Sequence, residues 1–298
     1  MGLHMKVKKL RAEKLGQQRL DITYESSPVS RVSPVNRGSN SGLYGSRGRL
    51  QGLDSGIRRV AATFGKALHL TYSRKSSGPL VVESDSERYV SHMLTLDPEV
   101  LSFATQPFTV DLIERRILRT TADVEAARER YKRVKGQKFY TPDFGVQWHS
   151  TGQSGYYTTA IEVKLEGYEG SGQDLQRMAL GQNVIENFGM EFLHVVWPKS
   201  HSYPLRTNLP LLMKAMRRVD LWPDAEMIAA VEGAVARGVT TARELCDALS
   251  LSPNVIPSFL VSGLLSANIG QEVIRGAMKI ELAYGDLGFL SVMSGVTQ

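Results

Sequence analysis

Between Tyr156 and Leu165 the chain reads Tyr-Tyr-Thr-Thr-Ala-Ile-Glu-Val-Lys-Leu, an aromatic and β-branched composition that predicts a strand. The two-residue repeat of a strand puts Glu162 and Lys164 on one face and Val163 on the other. Just upstream, a short apolar approach (Phe139, Tyr140) ends at Pro142-Asp143 and a second one (Phe144, Val146, Trp148) begins. Asp143 is therefore expected on or beside a strand, with the intervening glycine, serine and threonine run as the turn of a hairpin. Earlier, residues 60–82 supply short strand-like pieces in ALHLTYS and in the start of PLVVES. Ser84 and Glu87 form the Ser-x-x-Glu pattern of a capping box, and Tyr89/Val90, Met93/Leu94 and Leu96 follow at helical spacing. Residues 100–110 are strand-like with a break at Pro107. Residues 174–188 predict a helix with Asp174 as its N-cap, ended at Gly189, and residues 192–197 an apolar strand stopped by Pro198. This order fits an α/β domain with a mixed sheet flanked by helices.

The hydrophobic pattern changes after residue 205. NLPLLMKAMRRVDLW and AEMIAAVEGAVARG read as helices, and residues 240–270 have the cadence of a helix-turn-helix with a wing. Thr240 and Thr241 cap one helix with Glu244 near its start, LSPN turns, and residues 255–265 form the second. A recognition helix normally offers basic or amide side chains to base edges. VIPSFLVSGLLS offers almost none, so this winged-helix-like unit is expected to bind a protein partner or serve structure. Cys246 falls within the apolar pattern and is expected in the core. Three segments result: a basic arm without regular structure (1–56), an α/β domain (57–205) and the C-terminal unit (206–298).

Charge sharpens the picture. Of the 298 residues, the first 75 hold 15 Lys and Arg against 4 Asp and Glu, whereas the whole chain carries only +6. Basicity is thus concentrated at the N-terminus, where it favours a polyanionic partner or solubilises a tail. Arg47, Arg49, Arg58 and Arg59 lie in or next to this arm. A second basic run, Arg130, Lys132, Arg133, Lys135 and Lys138, lands just before Asp143, suited to phosphate contacts that hold a DNA backbone without reading sequence. A solvated surface would carry the same residues. The single cysteine excludes an intramolecular disulfide and favours a reducing compartment. No apolar run is long enough to span a bilayer, and MGLHMKVKKLRAEK lacks the apolar core of a signal peptide.

Asp143, Glu162 and Lys164 are the residue types that hydrolysis of a phosphodiester needs. Oxygen ligands hold a hard cation, and an ammonium orients water or offsets charge on the phosphate. Glu87 is open to two readings, a capping residue or a third metal-binding carboxylate. A Glu-x-Lys triplet on the solvent face of a hairpin is the alternative that needs no chemistry at all.

Taken in order, Glu87, DPEVLSFATQPF, YTPDF and AIEVK resemble the TnsA family, the endonuclease subunit of heteromeric transposases. The resemblance covers about residues 81–197 and continues more weakly beyond. It implies a restriction-endonuclease-like nuclease core. Glu87 resembles the family's helix-borne glutamate, Asp143 its central metal-binding aspartate and Lys164 its catalytic lysine. Glu162 occupies a position where some relatives carry Gln. The resemblance further implies Mg2+ as cofactor, with Mn2+ substituting, held by Glu87, Asp143 and Glu162. It implies cleavage of the 5′, non-transferred strands of double-stranded DNA at transposon ends. The partners it implies are a DDE-type transposase and an AAA+ regulator, with no membrane, in a bacterial cytoplasm and on the nucleoid when DNA is bound. The basic arm and the Arg/Lys-rich insertion before YTPDF depart from the compact pattern. A stand-alone restriction or repair nuclease, or a DNA-binding scaffold without enzymatic activity, would fit the same residues.

Overall fold

The computed structural model describes residues 7–8, 68–149 and 155–293. Strands β1 (Val7–Lys8), β2 (His69–Tyr72) and β3 (Pro79–Val82) precede the first helix, α1 (Asp85–Leu96). The Ser84 side chain caps α1 by accepting from the Glu87 amide, and Asp85 and Glu87 occupy its first turn, where negative charge suits the helix dipole. Apart from Val7–Lys8, the N-terminal arm lies outside the described residues, as does the expected turn at 150–154.

Next come β4 (Val100–Thr105), β5 (Thr109–Asp111), β6 (Arg116–Leu118), α2 (Thr121–Arg130), β7 (Phe139–Tyr140), β8 (Phe144–His149) and β9 (Tyr156–Leu165). Helix α3 (Gly172–Asn187) and β10 (Glu191–Trp197) complete this part of the chain. The break expected at Pro107 separates β4 from β5. Ser171, not Asp174, is the N-cap of α3, accepting from the Asp174 amide. The helix starts two residues earlier than expected, so Asp174 stands in its first turn.

The main sheet has the order β1-β10-β9-β8-β4, with β9 and β10 parallel and the other neighbours antiparallel. Helices cover both of its faces. On one side Phe144, Val146, Trp148, Ile161, Val163, Leu193 and Val195 pack with Tyr89, Val90, Met93 and Leu94 of α1. On the other, Ala160 and Phe192 pack with Val184 and Ile185 of α3, with Val110 and with Tyr140. The charged stretch between β5 and β7 folds back on itself as β6 and α2 around Leu118, Val124, Ala127 and Tyr131. It returns through the small sheet β6-β5-β7 to the α3 side of the main sheet.

The C-terminal part comprises α4 (Pro204–Arg217), α5 (Ala225–Ala236), α6 (Ala242–Leu249), α7 (Ile256–Val261) and the paired strands β11 (Leu265–Ser266) and β12 (Glu281–Leu282). Thr241 and Glu244 make a full capping box on α6, and Cys246 is buried in the core. The helix expected over 255–265 is only six residues long. A turn over Pro253–Val255 precedes it, and Gly263, at φ +75°, ends it. A Cβ at Gly263 would meet the Gly285 backbone at 3.1 Å and would be strained at this φ, so glycine suits this close return of the chain. Leu205, Leu209 and Leu212 of α4 belong to the same core as α1, and the 205/206 boundary falls inside α4. Buried Asn208 donates to the Ile269 and Glu272 carbonyls and accepts from the Ile274 amide, all at 2.7–2.8 Å. The fold is mixed α/β. Among the described residues, no helix is long and apolar enough to cross a membrane.

Candidate active site

The register of β8 on β9 decides which side chains meet. Phe144 pairs with Ile161 and Gly145 with Ala160, so one step further Asp143 stands opposite Glu162. Residues directly opposite in an antiparallel pair share a face, and Lys164 lies two residues on along that face. Asp143 is fixed from two sides. Its carbonyl accepts from the Gln106 amide at 2.9 Å, and its Oδ2 accepts from the Val163 amide at 2.7 Å.

Glu162 is only 6 % exposed, which removes the view of it as a solvated hairpin residue. A buried carboxylate needs its lone pairs satisfied. Oε1 takes the Lys164 ammonium at 2.5 Å, and Oε2 accepts from the Tyr140 hydroxyl at 2.6 Å. Lys164 also lies over the Tyr168 ring, 5.2 Å from its centroid. Gly181 of α3 makes room for Tyr140, since a Cβ there would lie 2.2 Å from ring carbon Cδ1.

Glu87 approaches from α1 on the other side of the sheet. Its Oε1 accepts from the Ser84 hydroxyl at 2.7 Å and its Oε2 from the Glu83 amide at 2.9 Å. Both oxygens serve the cap in this conformation. Gln106 bridges the two sides, its Nε2 donating to Glu83 Oε1 at 3.0 Å while its amide holds Asp143. It does so with φ +46°, a left-handed backbone uncommon outside glycine.

The electrostatics join these groups. Burial pushes the Asp143 carboxyl well above its ordinary range, and the charges of Glu162 and Glu87 push it further, against Lys164 and the Val163 amide. Burial likewise raises Glu87, opposed by the Glu83 amide and the Ser84 hydroxyl. Burial alone would lower Lys164, but Glu162 and Asp143 together outweigh it and hold the ammonium above its usual value. The Tyr140 phenol is pushed well up by burial and by the Glu162 charge, so it remains a donor.

Compared with known proteins, the chain matches no family model and no curated protein sequence. Among the described residues, no three His, Cys, Asp or Glu side chains are already drawn together to hold a metal ion. Asp143 and Glu162, opposed across two strands, nevertheless fit a magnesium ion in donor chemistry. Magnesium takes oxygen ligands and is usually held by one or two carboxylates plus substrate phosphate and water. The upward push on Asp143 from neighbouring negative charge is what a cation would relieve.

Of the basic candidates, Arg47, Arg49, Arg58 and Arg59 lie outside the described residues. Arg130 pairs with Glu114 and lies over Tyr131, Lys132 pairs with Glu129 at 3.1 Å, and Lys138 donates to the Tyr131 carbonyl at 2.6 Å. These contacts build the excursion itself, while Arg133 and Lys135 are exposed on it. Sequence reasoning missed the roles of Tyr140, Gln106 and Gly181. Tyr140 counted only as apolar, although its polar tip stands three residues before Asp143; nothing in the sequence signals the backbone of Gln106.

Proposed function

We propose that this chain is a magnesium-dependent DNA endonuclease, the subunit of a transposase complex that cleaves the 5′, non-transferred strands at transposon ends. The observation that carries the proposal is the cross-strand placement of Asp143 against Glu162, with Lys164 bound to Glu162 on the same face. Asp143 and Glu162 would hold Mg2+, or Mn2+ in its place; the bound cation would supply a more acidic water and neutralise charge on the phosphoryl group. Lys164 would attract the scissile phosphate and orient the attacking water, as a compact positive charge can. Glu87 would become a third ligand only by giving up its contacts with Ser84 and Glu83.

The mixed sheet with helices on both faces supports a restriction-endonuclease-like core. Helices α5 to α7 followed by the β11/β12 pair support a winged-helix-like C-terminal unit. The apolar residues of α7, Ile256, Phe259 and Leu260, are buried and offer no base-reading side chain. End selection is accordingly assigned to the partners, a DDE-type transposase and an AAA+ regulator, in line with the resemblance to the TnsA family.

The test is strand-resolved cleavage of labelled transposon-end duplexes in Mg2+, with and without the transposase. Asp143→Ala and Lys164→Ala should each abolish the cut while the variants still fold. Full activity in either would overturn the site. Strong end-specific cleavage by the isolated chain would favour the stand-alone nuclease instead, and no cleavage under any condition would favour the scaffold.

A further inference from the structure

Glu162 carries one contact that the proposed chemistry does not itself require. Its Oε2 is held by Tyr140, a residue from outside the main sheet. Tyr140 belongs to β7, which pairs with β5 through Val110↔Tyr140 in the sheet that closes off the basic excursion. Its ring is 4 % exposed, lies 6.3 Å from Phe192 and passes against Gly181 so closely that no larger residue would fit there unmoved. A ring confined on these sides has little freedom, and its hydroxyl is fixed with it.

The position of that hydroxyl determines what Glu162 can do. A lysine ammonium is a compact point charge on a flexible stem and does not by itself fix the plane of a carboxylate. Here the donor at 2.6 Å on Oε2 separates the two oxygens, leaving Oε1 to Lys164 and fixing the plane of the group. Partners of this kind, which orient a ligand without touching the ligand's own target, typically set metal affinity about 10- to 100-fold.

We infer that Tyr140 is a positioning residue for Glu162, holding its carboxylate in the orientation that lets Asp143 and Glu162 share one divalent cation. This rests on the metal-site assignment above. The basic excursion thereby contributes to the site through β7 as well as through its surface charge.

The experiment is titration of the full-length chain with Mn2+ alone, followed by calorimetry and by the rise in melting temperature, so that no activity is needed. Tyr140→Phe removes the hydroxyl and keeps the ring. Its Mn2+ dissociation constant should rise about 10- to 100-fold, while far-UV circular dichroism stays that of the wild type. Phe192→Leu disturbs the same apolar cluster and keeps the hydroxyl; it should bind Mn2+ within about threefold of the wild type, below the range expected for a lost orienting partner. Wild-type affinity in Tyr140→Phe, or an equal loss in Phe192→Leu, would overturn the inference and leave the metal site standing. Binding that is absent from the wild type, or that survives in Asp143→Ala, would overturn the metal site and the inference with it.

Discussion

Gly181 offers the sharpest test of how the site is packed, because local and tertiary effects oppose each other there. It lies within α3, so replacing it with alanine should favour the helix by about 1 kcal/mol. The new Cβ would, however, stand 2.2, 2.5 and 2.9 Å from three carbons of the Tyr140 ring. An ordinary contact needs more than 3.4 Å, so the ring must move by more than an ångström inside a buried cluster. Overpacking of this kind costs about 1–3 kcal/mol. Displacing the hydroxyl from Glu162 strands a buried carboxylate oxygen, about 1–3 kcal/mol more. The net expectation is a loss of about 1–5 kcal/mol after the helix gain of about 1 kcal/mol is subtracted. Gly233 in α5 is the control, since a Cβ there meets only the end of the flexible Arg237 side chain, at 3.3 Å. Denaturant unfolding at constant m-value would measure both variants. Gly233→Ala should be neutral or stabilising, and Gly181→Ala should shift the midpoint strongly downward. A Gly181→Ala protein as stable as the wild type would refute the close packing of α3 on Tyr140.

Two further expectations concern α1. His92 is buried, and desolvation, with the charges of Arg88 and Arg217, lowers its pKa to about 4 from 6.5. The unfolded chain therefore takes up the proton first as pH falls, so stability should decline between about pH 6.5 and pH 4, by on the order of 3 kcal/mol. His92→Gln should flatten that part of a pH-melting profile, and an unchanged slope would contradict the assignment. At Glu87, Gln keeps an oxygen for the Ser84 hydroxyl or the Glu83 amide, whereas Ala leaves the Ser84 cap in place but removes both of these contacts, at a cost of about 1 kcal/mol. If Glu87 also ligates metal, Glu87→Gln should melt like the wild type but lose cleavage; cleavage that follows melting temperature in both variants would leave it a cap alone.

How much is legible in the chain depends on whether the determinant is local. Half of the capping box read at Ser84 and Glu87 is present, the Ser84 side chain accepting from the Glu87 amide, while the Glu87 carboxylate takes the Ser84 hydroxyl and the Glu83 amide in place of the Ser84 amide. The alternation in β8 and β9 places Asp143 beside one strand and puts Glu162 and Lys164 on one face of the other. The burial of Glu162 is not legible, because strand alternation cannot tell a solvated face from one covered by a distant helix, and α3 arrives only after residue 171. The end of α7 is written locally, in the left-handed Gly263 after which the Leu264 amide closes on the Phe259 carbonyl; the approach of Gly285 to that turn is what no helical periodicity encodes. Asp174 is as good an N-cap chemically as Ser171. Which of two adequate capping residues wins depends on where the chain leaves the preceding loop.

Helix α4 packs on both α1 and α7, and Asn208 locks it to the 269–274 segment. The Ser291 hydroxyl adds a bond to Asp97 at the end of α1. The C-terminal helices and the helix bearing Glu87 thus share one packed core, and residue 205 lies inside α4 where that core is continuous. A protein gripping the C-terminal unit would act on α1 as on the handle of a lever rather than through a tether. Cutting the chain at that boundary would sever the lever within its own shaft.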